Sequence, residues 1–163
     1  MGCYQQILVA LDGSRDADSA LRHAVTLARD QNARLTLLTV APPPATAVGA
    51  GASPPPDLLD LHAKILREAT ESLPEDVGVT TRLERGDAAE TILRVADEDR
   101  QNLIVMGSHG HSRFHRALLG SVSEKVLRAS PVPVLLMRAR QGHSGPDAVA
   151  APGPAEPYSP PSR

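Results

Sequence analysis

Residues 102–107 read "NLIVMG". Every residue from Leu103 to Met106 is apolar, so both faces of this segment need cover from water. A strand with one wet face would alternate apolar and polar residues instead. The run therefore predicts a central strand of a sheet packed on both sides. The rest of the chain supplies the cover. "QQILVALDG", "ARLTLLTVA", "GVTTRLERG" and "VPVLLMR" read as four further strands. The third of these alternates, which suits a half-buried strand nearer an edge.

Helical patterns separate the strands. Ala17, Ala20, Leu21, Ala24, Val25 and Ala28 recur at helical spacing, with Ser14 or Asp16 as the cap. Leu58, Leu61, His62, Ile65, Leu66, Ala69 and Leu73 form a second stripe, capped by Asp57. Asp87 and Glu90 make a capping-box start for the helix of Ile92, Leu93 and Ala96. Ser121 and Glu124 suggest another, for the helix of Val122, Val126 and Leu127. Strands alternating with helices predict an α/β fold: one doubly wound parallel sheet with helices on both faces.

Two stretches resist this pattern. "PPPATAVGAGASPPP" (42–56) has prolines that remove amide donors and glycines that loosen the backbone, so it reads as a crossover loop. From residue 141 onward Pro, Gly, Ala and Ser dominate. The expected division is a domain at 1–140 and a disordered tail at 141–163. "EPYSPPSR" within that tail could extend as polyproline II for a protein partner.

Composition narrows the function. Trp is absent, and Tyr4, Phe114 and Tyr158 are the only aromatics, so the core must be aliphatic. A net charge of -2 gives no general field for nucleic acid or an anionic membrane. Cys3 stands alone, so no intrachain disulfide can form. No apolar run reaches the roughly 18 residues of a membrane span. These features predict a cytoplasmic protein.

Parallel sheets of this kind hold ligands at the carboxyl ends of their strands, where strand order reverses. Two loops suit that place: "LDGS" after the first strand and "GSHGHS" after the fourth. Gly107 and Gly110 would let the backbone turn or a ligand approach it. Gly120 precedes a helix start, where unpaired amides favour an anion. Residue chemistry alone leaves open a plain connection or a phosphate clasp. Asp12 likewise suits a ribose acceptor or a turn aspartate bonded to its own backbone. His109, His111 and His115 lack paired zinc spacing, and Arg113 and Arg116 better suit a phosphate rim. No Walker lysine and no "GxSxG" nucleophile are present.

Gly107, two residues, Gly110, nine residues, Gly120 and Ser121 resemble the "G-x2-G-x9-G-[ST]" pattern of the ATP-binding universal stress proteins. "ILVALDGS" and "SPVPVLLMR" are similar to that family too, and the resemblance covers residues 4–138. It implies a five-stranded sheet in order 3-2-1-4-5, a homodimer paired through the last strand, and ATP across the switch point, with Mg²⁺ or Mn²⁺ as companions of the phosphates. It further implies that Asp12 holds the ribose, Ala10 lies near the nucleoside and Val40 offers its backbone to adenine. Met106 and Gly107 would flank the nucleoside, and His109 and Gly110 the phosphates. Gly120, Ser121, Val122 and Ser123 would give amides and hydroxyls to the phosphates.

The function so implied is an ATP-binding regulatory module of the stress response. No residue is assigned a catalytic role, since no base or arginine finger for hydrolysis is identifiable. The alternatives are a scaffold dimer without nucleotide and an adenylyl-transfer enzyme. The second would want "SGGxDS" or "HxGH", where this chain has "LDGSRD" and "SHGHS".

Overall fold

The computed structural model describes residues 3–43, 57–110 and 119–139. Most of the proline-rich crossover, the basic stretch with His111, Arg113, His115 and Arg116, and the tail lie outside the described residues. Nine elements alternate along the described residues: β1 (Gln6–Ala10), α1 (Arg15–Gln31), β2 (Arg34–Ala41), α2 (Asp57–Glu71), β3 (Val79–Arg85), α3 (Ala88–Glu98), β4 (Leu103–Gly107), α4 (Ser121–Ala129) and β5 (Val134–Met137). The five strands form one parallel sheet in order β3-β2-β1-β4-β5. Strand order reverses between β1 and β4, where Ala10 pairs with Met106.

The pleat sorts the apolar residues into two cores. Ile7 and Val9 of β1, Leu35 and Leu37 of β2, and Leu103 and Val105 of β4 pack under α1 and α2 with Ala20, Ala24 and Leu66. Leu8, Leu38, Ile104 and Met106 point the other way, under α3 and α4 with Ile92, Val95 and Val126. Burying each such aliphatic side chain contributes about 1.5–3 kcal/mol. This two-sided demand is the one read from "NLIVMG".

β3 lies at an edge, as its alternation predicts. Arg82 on it donates to Asp99 at 2.9 Å and to Glu84 at 2.8 Å, and Arg94 donates to Glu84 at 3.0 Å. Charges of this kind discourage a sheet edge from pairing with another chain.

Two local readings need correction. Asp57 opens α2, and the reading of its side chain as a cap lies outside the described residues. Leu61 is 50% exposed and Leu127 is 49% exposed. Each helix rests on the sheet along a narrower stripe than the apolar residues span. Ser121 is the first residue inside α4, and the cap is Gly120, which makes no side-chain cap bond. Asp87, by contrast, does cap α3, accepting the Glu90 amide at 3.1 Å.

Candidate functional site

The even-numbered side of the sheet ends in a hollow. The alternation that buries Leu8 and Ile104 also brings Ala10, Leu38, Val40 and Met106 to that face at the carboxyl ends of β1, β2 and β4. Ala88 and Ile92 of α3 and the first turn of α4 complete a cavity of about 580 Å³. That lies within the range of small-molecule sites, roughly 300–1,000 Å³. Its wall includes all of Ala10, Asp12, Val40, Met106, Gly107, His109, Gly110, Gly120, Ser121, Val122 and Ser123.

Asp12 follows β1 in a tight turn. Its Oδ1 accepts the Ser14 amide at 2.9 Å, and Gly13 takes φ 78° to make the bend. Asp12 is thus a turn aspartate, and it also faces the glycine loop. A Cβ added at Gly110 would sit 2.8 Å from Asp12 Oδ2. Gly110 therefore answers to space, since it does not adopt a left-handed φ. The same holds at Gly120, whose φ is -72° and whose added Cβ would lie 3.3 Å from the Ser108 carbonyl oxygen.

Gly107 has a different reason. A Cβ there would meet Asp16 Cβ at 2.8 Å and the Ala17 amide nitrogen at 2.9 Å. The first turn of α1 presses against the end of β4 at this point. Asp16 then ties three segments together. Its Oδ2 accepts from the Ser108 hydroxyl at 2.9 Å and the His109 amide at 3.1 Å, and its Oδ1 accepts from the Ala139 amide at 2.8 Å. Burial pushes the Asp16 carboxyl up, but the bonds from Ala139, Ser108 and His109 outweigh it and hold the group below its ordinary pKa. Asp16 entered the sequence reading only as a candidate cap, a role that Ser14 fills by accepting the Ala17 amide at 3.1 Å. No spacing rule marks it as the residue that anchors the loop.

His109 lines the cavity, while its ring is engaged beside it. Nδ1 lies 2.9 Å from Ser108 Oγ and 3.4 Å from Asp16 Oδ2, and Nε2 lies 3.5 Å from Arg138 Nη2. Ser123 is buried, and its hydroxyl donates to the carbonyls of Gly107 at 2.9 Å and Ser108 at 3.2 Å. That hydroxyl proton fastens α4 to the loop and is not offered to the cavity.

The first turn of α4 is the open part of the wall. Glu124 is the first residue whose amide bonds back into the helix, to the Gly120 carbonyl at 2.9 Å. The amides of Ser121, Val122 and Ser123 therefore have no intrahelical acceptor. With a glycine cap, no cap side chain bonds to them among the described residues. These amides and the helix dipole give this end of the cavity a preference for negative charge. Asp12 is the one carboxylate on the described wall. Among the described residues there is no group of three or more His, Cys, Asp or Glu able to hold a metal ion. No helix among them is long and apolar enough to cross a membrane.

The model of the Universal stress protein family matches residues 4–138. The chain belongs to the universal stress protein family. Universal stress protein YxiE of Bacillus subtilis is 36% identical over 147 residues, covering 83% of this chain and 99% of the relative. A solved structure of a universal stress protein family member from Burkholderia pseudomallei is 33% identical, with a TM-score of 0.66, over 84% of this chain and 98% of that one. A universal stress protein solved in complex with cAMP is 27% identical, with a TM-score of 0.65, over 85% of this chain and 99% of that one. The match to this family spans every strand of the sheet.

Proposed function

We propose that this universal stress protein binds ATP in the 580 Å³ cavity and acts as a cytoplasmic regulatory module of the stress response. The observation that carries the reading is the uncapped first turn of α4 opposite Asp12. The two ends of the cavity suit the two ends of a nucleotide. The amides of Ser121, Val122 and Ser123 would receive phosphate oxygens. Asp12 Oδ2, beside the side-chain-free Gly110, would accept from ribose hydroxyls. Ala10, Val40 and Met106 give the apolar floor on which a base would lie, and Ile92 closes it from α3. A relative with cAMP bound supports an adenine nucleotide as the ligand class. A Mg²⁺ or Mn²⁺ ion would enter with the phosphates, since the described wall supplies only one carboxylate.

A homodimer through β5 completes the reading. Among the described residues β5 pairs only with β4, and Val134, Leu135, Leu136 and Met137 are each partly exposed. The opposite edge, β3, is guarded by the ion pairs of Arg82 and Glu84. An apolar edge beside a charged one supports pairing at β5.

The test is Asp12→Asn and Asp12→Ala against ATP, ADP and adenosine. Asparagine keeps an acceptor for the Ser14 amide, so the turn persists. Losing a charged acceptor to hydroxyls costs on the order of 1.5–3 kcal/mol. All three ligands should lose affinity by similar factors in equilibrium titrations. A defect confined to ATP would move Asp12 from the ribose to the phosphates or their metal, and wild-type protein that ignores all three ligands would leave a scaffold dimer.

A further inference from the structure

A second hollow lies on the outer side of α1, against the exit of β5. It encloses about 460 Å³ and is lined by Arg15, Asp18, Ser19 and Arg22 of α1, together with Met137, Arg138 and Ala139. Three arginines thus line one concave surface, with a single carboxylate among them. Four other described arginines, Arg29, Arg82, Arg94 and Arg128, are paired with carboxylates at 2.7–3.0 Å. Among the described residues, Arg15, Arg22 and Arg138 have no such partner within 4.0 Å, Asp18 included.

The fold explains the convergence. Arg15 and Arg22 are seven residues apart on α1, two turns of one helix face. Asp16 accepts the Ala139 amide and so holds the chain leaving β5 against the start of that helix. Arg138, the residue before Ala139, is thereby brought to the same hollow as the other two. The Ser19 hydroxyl adds a neutral donor to the same wall.

We infer that this groove is an anion site, separate from the ATP cavity, that takes a compact polyanion rich in phosphate or carboxylate oxygens. Guanidinium forks match both groups bidentately, and like charges held around one hollow favour a counter-ion between them. The groove is open and polar, without the apolar floor that a nucleobase needs. It shares a border with the ATP cavity, for Arg138 approaches His109, but Arg15 and Arg22 stand on the far side of α1's first turns and line only the groove.

The experiment titrates full-length protein by calorimetry at low salt, with inorganic pyrophosphate and with citrate as probes. It is run in a Gly120→Asp background, where the new carboxylate covers the α4 amides and removes that competing anion seat. Saturable binding is expected, and Arg22→Ala should weaken it at least fivefold. Asp18→Asn should tighten it, because the one opposing charge is gone. Arg22 and Asp18 are exposed, so both variants should melt like their parent. Pyrophosphate binding without citrate binding makes the ligand a phosphate compound, and the reverse makes it a carboxylate. Absence of saturable binding for both probes overturns the proposal. So does an affinity that ignores Arg22→Ala, or one that falls with Asp18→Asn.

Discussion

α1 and α4 both begin at the carboxyl ends of the strands, on either side of the same glycine loop, and their first turns are built in opposite ways. α1 is closed. Ser14 covers the Ala17 amide, Asp12 holds the Ser14 amide, and the Asp16 carboxylate in its first turn is spent on Ser108, His109 and Ala139. α4 is open, with a glycine cap and three amides that find no acceptor in the helix. One helix start is used to hold the loop in place, and the other keeps its first amides free of a cap side chain. A helix N-terminus is therefore not a site by virtue of being one. Its own capping residues decide.

Filling the closed end should have the largest effect. Gly107→Val puts a Cβ within 3 Å of α1's backbone, and overpacking of this kind costs about 1–3 kcal/mol or more. Urea denaturation should show that loss, and α1 and the loop should separate. An unchanged midpoint would mean that α1 is not seated by the end of β4.

Asp16→Asn tests the anchor itself and should rank next. The variant keeps the shape but loses the charge that three donors address, and bonds to a charged group are worth about 1.5–3 kcal/mol. The pH dependence follows from the lowered pKa. A carboxyl that titrates lower in the folded state than in the unfolded one stabilises the fold fully above its unfolded value of roughly 3.9. That contribution is lost as pH falls through the folded value. Wild type should therefore lose part of its stability below about pH 4, near that ordinary value, and Asp16→Asn should lose less over the same range. Parallel acid limbs for the two proteins would remove Asp16 from this role.

Closing the open end is the sharpest test of the contrast, though its effect on stability is small. Gly120→Asp gives α4 the kind of cap that α3 has in Asp87. Replacing a glycine cap should gain only a few tenths of a kcal/mol, part of it offset by the 3.3 Å approach to the Ser108 carbonyl. Melting should hardly move, while ATP affinity should fall on the order of tenfold or more, since charge-assisted bonds are at stake. Retained affinity would place the phosphates elsewhere.

Removing residues 141–163 should change least. The last described tie to the domain is the Ala139 amide on Asp16, so a cut after residue 140 preserves it. Melting temperature and ATP titration should match the full chain. A cut before Ala139 should not match it, and the difference between the two truncations measures that tie.

Much of the fold was legible in the sequence because it rests on local periodicity. "NLIVMG" required two covered faces, the alternation of β3 put it at an edge, and Ser14 and Asp87 carried their caps in their chemistry. The residues that gather at the cavity were also legible, through a motif whose spacing persists even though residues 111–118 lie outside the described part. What each of them does there was not. Sequence alone allowed Gly107 and Gly110 a turn or a close approach, yet among the described glycines only Gly13 and Gly86 take a left-handed φ. Gly107, Gly110 and Gly120 answer to atoms that arrive from elsewhere in the chain: the start of α1, Asp12, and the Ser108 carbonyl. Ser121 looked like a cap until the helix geometry gave that place to Gly120. Asp16 was invisible as an anchor, because its partners Ser108, His109 and Ala139 lie more than ninety residues away in sequence. The sequence by itself determined which segments are strands and helices and which faces they bury, because apolar spacing acts over a few residues. Only the tertiary structure decided which helix start is closed and which is open, because that depends on side chains brought together from opposite ends of the chain.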